Sequence, residues 1–183
     1  GLVALDWLNG NRSVLSDYNL SGLIVGLTLE TRPEEIYRAL VEANIFGSRK
    51  IIENYENNGV HISDLYAVGG IARKSPWIMQ MCADVFHREV IVPQLDNVPA
   101  RGAAVCAAVA LGKTDKKWGC KDFHEASERL VPKDAVVYSP DMENGRRYDK
   151  IYAYYEMLHD AFGTKNTFMK GLKELRTETK HHE

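Results

Sequence analysis

Paired cysteines, clustered histidines, long apolar runs and a dominant charge sign are all missing from this sequence. Cys82, Cys106 and Cys120 are its three cysteines, and no two form a CxxC pair. Neither a disulfide framework nor a thiolate zinc site is therefore supported. The histidines, His61, His87, His124, His159, His181 and His182, include no HxxxH or HExxH spacing. No apolar stretch approaches the ~20 residues that a membrane span requires. With 23 Lys+Arg against 25 Asp+Glu the formal net charge is −2, so no basic surplus points to nucleic acid or to an anionic membrane. GxGxxG, GxxxxGK[ST] and GxSxG are absent as well, which removes the Rossmann, P-loop and hydrolase readings.

What is present suits a folded domain. Hydrophobic residues make up 45% of 183 residues and charged residues 26%, too apolar and too near neutrality for a disordered chain. A domain of this size buries roughly 70% of the surface its unfolded chain exposes and needs no covalent staple. Three unpaired cysteines fit a reducing, cytoplasmic setting. Cys82 and Cys106 stand in apolar helical runs and read as small core residues. The chain opens Gly1-Leu2-Val3, without Met and directly in apolar sequence. It reads as the C-terminal part of a longer protein, with a processed or tag-cleaved complete protein as the alternative. His181-His182 reads as a frayed tail or a tag remnant.

Leu2–Asp6 and Leu23–Leu29 are apolar and bounded by turn residues, which predicts two strands joined by a polar loop. Thr31-Arg32-Pro33-Glu34 predicts a helix start, with Thr31 as cap, Pro33 in the first turn and Glu34 at capping-box spacing. Asn57-Asn58-Gly59 ends that helix. Asp64–Val68 predicts a short buried strand stopped by Gly69-Gly70, and Ser75-Pro76 opens a further helix. Glu89–Val92 predicts a strand closed by Pro93. Pro99 opens a helix rich in small residues, Ala100 to Ala110, ending at Gly112. This alternation argues for a layered α/β domain. Beyond Gly112 the composition changes. Lys113, Lys116 and Lys117 read as a solvated face, and Phe123–Leu130 as a short amphipathic helix. Val131–Pro140 reads as extended, and Tyr148, Tyr152, Tyr155 and His159 lie on one face of a long helix. Leu172 and Leu175 suggest one more helix. Residues 1–115 read as the domain core and 116–183 as a helical C-terminal extension packed on the same domain.

Two segments carry candidate chemistry. Gly69-Gly70-Ile71-Ala72-Arg73-Lys74-Ser75-Pro76 joins a strand end to a helix start, where open α/β sheets bind ligands. Paired glycines let a flat ligand approach the backbone, and the helix start with Lys74 suits negative charge. Spacing alone favours an ordinary βα turn. Asp6-Trp7-Leu8-Asn9-Gly10-Asn11-Arg12-Ser13 mixes residues that line clefts. It reads equally as a turn at Asn9-Gly10 braced by Asp6 and Arg12. The small-residue helix reads as a buried helix or a close-packed hinge, and composition favours the former. The tyrosine stripe reads as core, with a carbohydrate platform as the sharper alternative.

Taken together, these residues resemble one family. Leu5-Asp6-Trp7-Leu8-Asn9-Gly10-Asn11-Arg12-Ser13, Leu20-Ser21-Gly22-Leu23-Ile24-Val25-Gly26-Leu27-Thr28 and Arg32-Pro33-Glu34-Glu35-Ile36-Tyr37-Arg38-Ala39-Leu40-Val41-Glu42-Ala43 are similar to the C-terminal domain of L-ribulokinases, within the FGGY carbohydrate kinases. The likeness continues through Gly69–Pro76, Met79-Gln80, Ala83-Asp84-Val85, Gly102-Ala103-Ala104, Tyr154, Leu158-His159-Asp160 and Phe162-Gly163. It covers roughly residues 1–165.

The resemblance implies a ribonuclease H-like, actin-type ATPase domain, a mixed sheet flanked by helices, one of two such domains around a cleft. It implies that Gly69, Gly70, Lys74 and Ser75 bind the nucleotide, and that the helix from Ala100 connects the domains. Arg101 departs from the Leu common at that place. The whole enzyme is expected to transfer the γ-phosphoryl of ATP, with Mg2+, to L-ribulose. The resemblance places the catalytic base and the phosphate loops upstream of residue 1, so this chain carries no catalytic residue and is expected to be inactive alone. Expected partners are ATP, a pentulose, the N-terminal kinase domain and, as a homodimer, a second copy. A kinase for another pentulose or sugar alcohol, and a non-catalytic actin-like module, are the alternatives. Gly70 is the residue expected to matter most, both as a place where a Cβ meets the ligand and as a turn position that a positive φ would reserve for glycine.

Overall fold

The computed structural model describes residues 1–115, 117–165 and 167–180. Lys116 and His181-His182 lie outside the described residues. By its internal contacts the chain forms two units. The first joins Gly1–Ser63, Asp84–His87 and the described residues from Pro140 onward, and the second joins Asp64–Ala83 and Arg88–Ser139.

In the first unit, β1 (Val3–Leu5) pairs antiparallel with β2 (Leu23–Val25), with Ala4 opposite Ile24. The intervening loop is closed by backbone bonds between Asn11 and Asp17, of 2.9 and 2.8 Å. β2 stops well short of Leu29 because Gly26 turns into the left-handed region, φ +97°. Helix α1 (Pro33–Asn57) follows. Its N-cap is Arg32, whose amide donates to Glu35 Oε2 at 2.8 Å. The expected cap, Thr31, instead accepts from the Thr28 amide at 2.8 Å and braces the preceding turn. Arg32 has no side-chain acceptor, so Glu35 alone supplies the side-chain half of the box.

The underside of α1 is built from small residues. Ala39 and Ala43 meet Ala4 in a buried cluster edged by Leu2, Ile24 and Leu40. Phe46 then fits among the tyrosines of α6 (Met142–Asp160). Its ring centroid lies 5.6 Å from those of Tyr152 and Tyr155 and 6.2 Å from that of Tyr148. The stripe Tyr148, Tyr152, Tyr155 and His159 is buried, so it is core and offers no open platform for a sugar. Arg49 lies over the Tyr152 ring at 4.1 Å and donates to Asp149 at 2.7 Å, Glu53 at 2.9 Å and the Val85 carbonyl at 3.1 Å. A π-helical turn (Ala161–Lys165) and α7 (Phe168–Lys180) complete the unit; Leu172 and Leu175 of α7 are exposed.

The second unit holds a three-stranded mixed sheet. β3 (Leu65–Tyr66) runs parallel to β4 (Val90–Pro93), and β5 (Ala135–Tyr138) pairs antiparallel with β4. β3 is not the buried strand expected, since Tyr66 is largely exposed. A one-turn helix α2 (Gly70–Lys74) leads to α3 (Pro76–Phe86), whose last residues belong to the first unit. Burial pushes the Cys82 thiol on α3 up to about 11. α4 (Val98–Gly112) and α5 (Phe123–Leu130) pack through Val105, Cys120 and Ala126. Arg101 donates to the Leu130 carbonyl at 2.8 Å, a tether to the end of α5 that Leu could not make.

α4 overturns two expectations. Val105 is its buried residue, while Gly102, Ala103, Ala104, Cys106, Ala107 and Ala110 are exposed. It is therefore not a buried helix in this chain, and Cys106 is not a core residue. Small apolar side chains do not decide whether a helix is covered; what packs on them does.

Candidate functional site

The Gly69–Ser75 segment is not a loop. Gly69 turns the chain at φ +101°, and Gly70 already begins α2. The conformational demand for glycine therefore falls on Gly69, and Gly70 is left with no turn to serve. A Cβ on either glycine would meet no atom within 4 Å. The space in front of both is open, as a cradle for a flat ligand requires.

That space is a cavity of about 760 Å³ with two walls. One wall is Val68, Gly69, Gly70, Arg73 and Lys74, following β3. The other is Gln94 to Pro99, following β4 and entering α4. Both walls rise from the ends of parallel strands, the position where open α/β sheets hold ligands. Gly69, Gly70 and Lys74 are thus brought together as expected. Ser75 is not in the wall: its carbonyl accepts from the amides of Ile78 at 3.1 Å and Met79 at 3.2 Å, opening α3. Those amides are committed to the helix start, which leaves Lys74 with Arg73 as the basic groups of the first wall.

The second wall escaped sequence reading. Asn97, with φ +51°, caps α4 from the left-handed region, and Leu95 is buried beneath the loop. Arg73 pairs with Asp96 and lies 3.4 Å from the Leu95 carbonyl, joining one wall to the other. Asp96-Asn97 ahead of Pro99 was the available signal, since Asn and Asp tolerate left-handed backbone at turns.

The other candidate segment divides. Leu8, Asn9 and Gly10 line a cavity of about 340 Å³ with Tyr18, Leu20, Ser21, Leu172, Lys173 and Arg176. Asp6 does not brace the loop with Arg12. Its carboxylate oxygens lie where a Cβ on Gly47 would meet them at 3.3 and 3.4 Å, beside the Tyr155 hydroxyl at 3.5 Å. Burial raises the Asp6 carboxyl above the usual carboxylate range, against its own backbone hydrogen bond and the nearby His159. Asp6 Oδ1, Trp7 Nε1 and His159 Nε2 are buried polar atoms without a protein hydrogen-bond partner. Among the described residues no group of three His, Cys, Asp or Glu is placed to hold a metal ion, and no helix is long and apolar enough to cross a membrane.

The fold, a mixed sheet with helices, is shared with solved sugar kinases. The ligand-bound xylulose kinase from Lactobacillus acidophilus matches with a TM-score of 0.75 and 27% identity, over 90% of this chain and 32% of its own. A xylulose kinase from Rhodospirillum rubrum matches with a TM-score of 0.67 and 27% identity, over 88% of this chain and 31% of its own. Plasmodium falciparum glycerol kinase with ADP matches in fold alone, with a TM-score of 0.64 and 19% identity over 85% of this chain and 30% of its own. The class is an actin-type ATPase domain of the sugar-kinase kind.

The model of the FGGY family of carbohydrate kinases, C-terminal domain, matches residues 1–111, and the chain belongs to that family. Among curated relatives, the ribulokinase of Bacillus licheniformis is 47% identical over 176 residues, 96% of this chain and 32% of that protein. The ribulokinase of Geobacillus thermodenitrificans is 48% identical over 174 residues, 94% of this chain and 30% of that protein. The chain spans about a third of the length of these relatives.

Proposed function

We propose that this chain is the nucleotide-side domain of an ATP-dependent kinase that phosphorylates L-ribulose to L-ribulose 5-phosphate. The observation that carries the reading is the identity to ribulokinases across nearly the whole chain. In this reading the adenosine end of ATP lies against Gly69 and Gly70, where the absence of two Cβ atoms leaves room for it. Lys74 holds negative charge at the cavity mouth. Ser75 acts through its carbonyl, by fixing the start of α3 behind the corner. Mg2+ travels with ATP and is held mainly by residues outside this chain. Phosphoryl transfer is largely positioning and charge stabilisation, and this chain supplies one wall of the site without a catalytic residue.

Residues 1–115 form the domain core in this reading and the remainder an extension; the family match to residue 111 supports the division, while the compact units cut across it, since β5 pairs with β4 and α6 packs on β1 and α1. The exposed small-residue face of α4 is where the upstream kinase domain seats, and a hinge that shears needs such a smooth face. The assembly works in the cytoplasm, and a homodimer is tested by sedimentation of the whole protein.

The deciding experiment is turnover by the whole gene product with MgATP and a panel of L-ribulose, D-ribulose, D-xylulose and glycerol. A clear preference in kcat/KM for L-ribulose is expected. Preference for another sugar moves the protein to the second reading, a kinase of a different pentulose, which the likeness to xylulose kinases favours. ADP binding without turnover on any sugar would leave a non-catalytic actin-like module. The 183-residue chain alone is expected to show no turnover above a mock preparation.

A further inference from the structure

We propose that Arg73 and Asp96 form a clasp that fixes the width of the cavity and thereby positions adenosine against Gly69 and Gly70. The inference rests on the nucleotide reading above. Its basis is how each wall is anchored. α2 is a single turn, closed by Arg73 N–H to Gly69 O at 3.3 Å and by Ser75 N–H to Ile71 O at 2.9 Å. A helix this short does not hold itself in water. It hangs from a two-residue strand and has Ala72 as its buried residue. The opposing wall is better held, by Leu95 in the core and by Gln94 N–H to Asp134 O at 2.8 Å. Arg73 reaches from the weaker wall to the stronger, to Asp96 and towards the Leu95 carbonyl.

Stability does not account for the pair. The Arg73 and Asp96 side chains are 37% and 77% exposed, and ion pairs so exposed contribute little to folding. What the pair does is hold two walls at one spacing before a ligand arrives, which lowers the cost of ordering them on binding. It also sets the local charge. With Arg73 matched by Asp96, Lys74 is the cation of the wall that remains for phosphate. Arg73 and Asp96 are positioning residues in this view, and neither is asked to touch the nucleotide.

Charge alone and geometry predict opposite signs for one substitution. Asp96→Asn removes a negative charge beside an anion site. If only charge mattered, MgADP would bind more tightly and uncharged adenosine would be unaffected. If the clasp matters, both ligands bind more weakly, by about three- to tenfold, the scale of lost pre-organisation in one loop. Calorimetric titration of the whole gene product with adenosine and with MgADP measures this, for the wild type, Asp96→Asn, Arg73→Gln and the exchanged pair Arg73→Asp with Asp96→Arg.

The expected result is weaker binding of both ligands in each single variant, with an unchanged Tm. In the exchanged pair, adenosine affinity should return to within about twofold of the wild type, because coupled residues rescue one another. Tighter MgADP binding by Asp96→Asn with unchanged adenosine affinity would overturn the clasp. Single variants that bind both ligands like the wild type would overturn it too, while leaving the nucleotide reading intact. A wild type that binds neither ligand would overturn the nucleotide reading, and the clasp with it.

Discussion

Two helices that carry faces of small residues, α1 and α4, have opposite fates. Ala39 and Ala43 of α1 are buried against Ala4, and Gly47 leaves the space that the Asp6 carboxylate occupies. Ala103, Ala104 and Ala107 of α4 face outward. Small side chains let another surface come close, yet they do not supply that surface. On α1 the chain provides it, through β1 and the tyrosines of α6. On α4 the exposed face is instead a feature to be explained by function.

The comparison breaks most visibly at its aromatic end. Phe46→Ala removes the ring around which Tyr148, Tyr152 and Tyr155 gather, and a loss of about 3–5 kcal/mol in chemical denaturation is expected. Next comes a matched pair. Ala43→Leu forces a larger side chain into the contact with β1 and should cost about 1–3 kcal/mol, whereas Ala104→Leu on α4 should stay within about 0.5 kcal/mol. Equal losses at the two positions would mean that α4 is covered in solution.

Gly70→Ala sharpens the contrast differently. Because Gly70 lies in α2 without positive φ and a Cβ there meets nothing, the chain should gain up to about 1 kcal/mol. Adenosine should nevertheless bind more weakly, and the KM for ATP of the whole enzyme should rise while that for the sugar does not. A more stable variant with unchanged nucleotide affinity would return the corner to a plain turn.

The smallest effect is a pH dependence in the α1 core. Burial raises the Asp6 carboxyl above its ordinary value, so its protonated form is favoured in the folded state. A carboxyl raised on folding contributes stability that is present below its unfolded value and lost as pH rises through its folded value. Asp6→Asn removes that loss. Thermal melts from pH 3 to pH 8 should show the variant gaining on the wild type as pH rises, and parallel curves would refute this account.

Much of this architecture was readable in advance, since capped and periodic segments carry their own signals. Phe123–Leu130 reads directly as the helix it forms, and the spacing of Tyr148, Tyr152, Tyr155 and His159 identifies a buried face. Gly69 and Gly70 announced a corner. Their division of labour was hidden, because which glycine takes the positive φ is a property of backbone torsions. The shift of the cap from Thr31 to Arg32 had a similar cause, since Thr31 finds a better use for its hydroxyl with the Thr28 amide. Exposure of α4 is not legible in its sequence, because composition reports what a face is made of and not what meets it. The Arg73–Asp96 pair is invisible to any local pattern, since the partners stand 23 residues apart on different turns.

The tyrosine core also carries a consequence for synthesis of the protein. Its partners come from opposite ends of the chain: Lys50 and Glu156 are 106 positions apart, and Arg49 and Asp149 are 100 apart. A ribosome adding about 5–20 residues per second therefore completes α1 several seconds before α6 emerges to cover it. Through that interval Phe46 is open to water and to other nascent chains, while the segment from Asp64 to Ser139 is being made. Yield in the cell should thus depend on how quickly the last part of the message is translated and on which chaperones attend it.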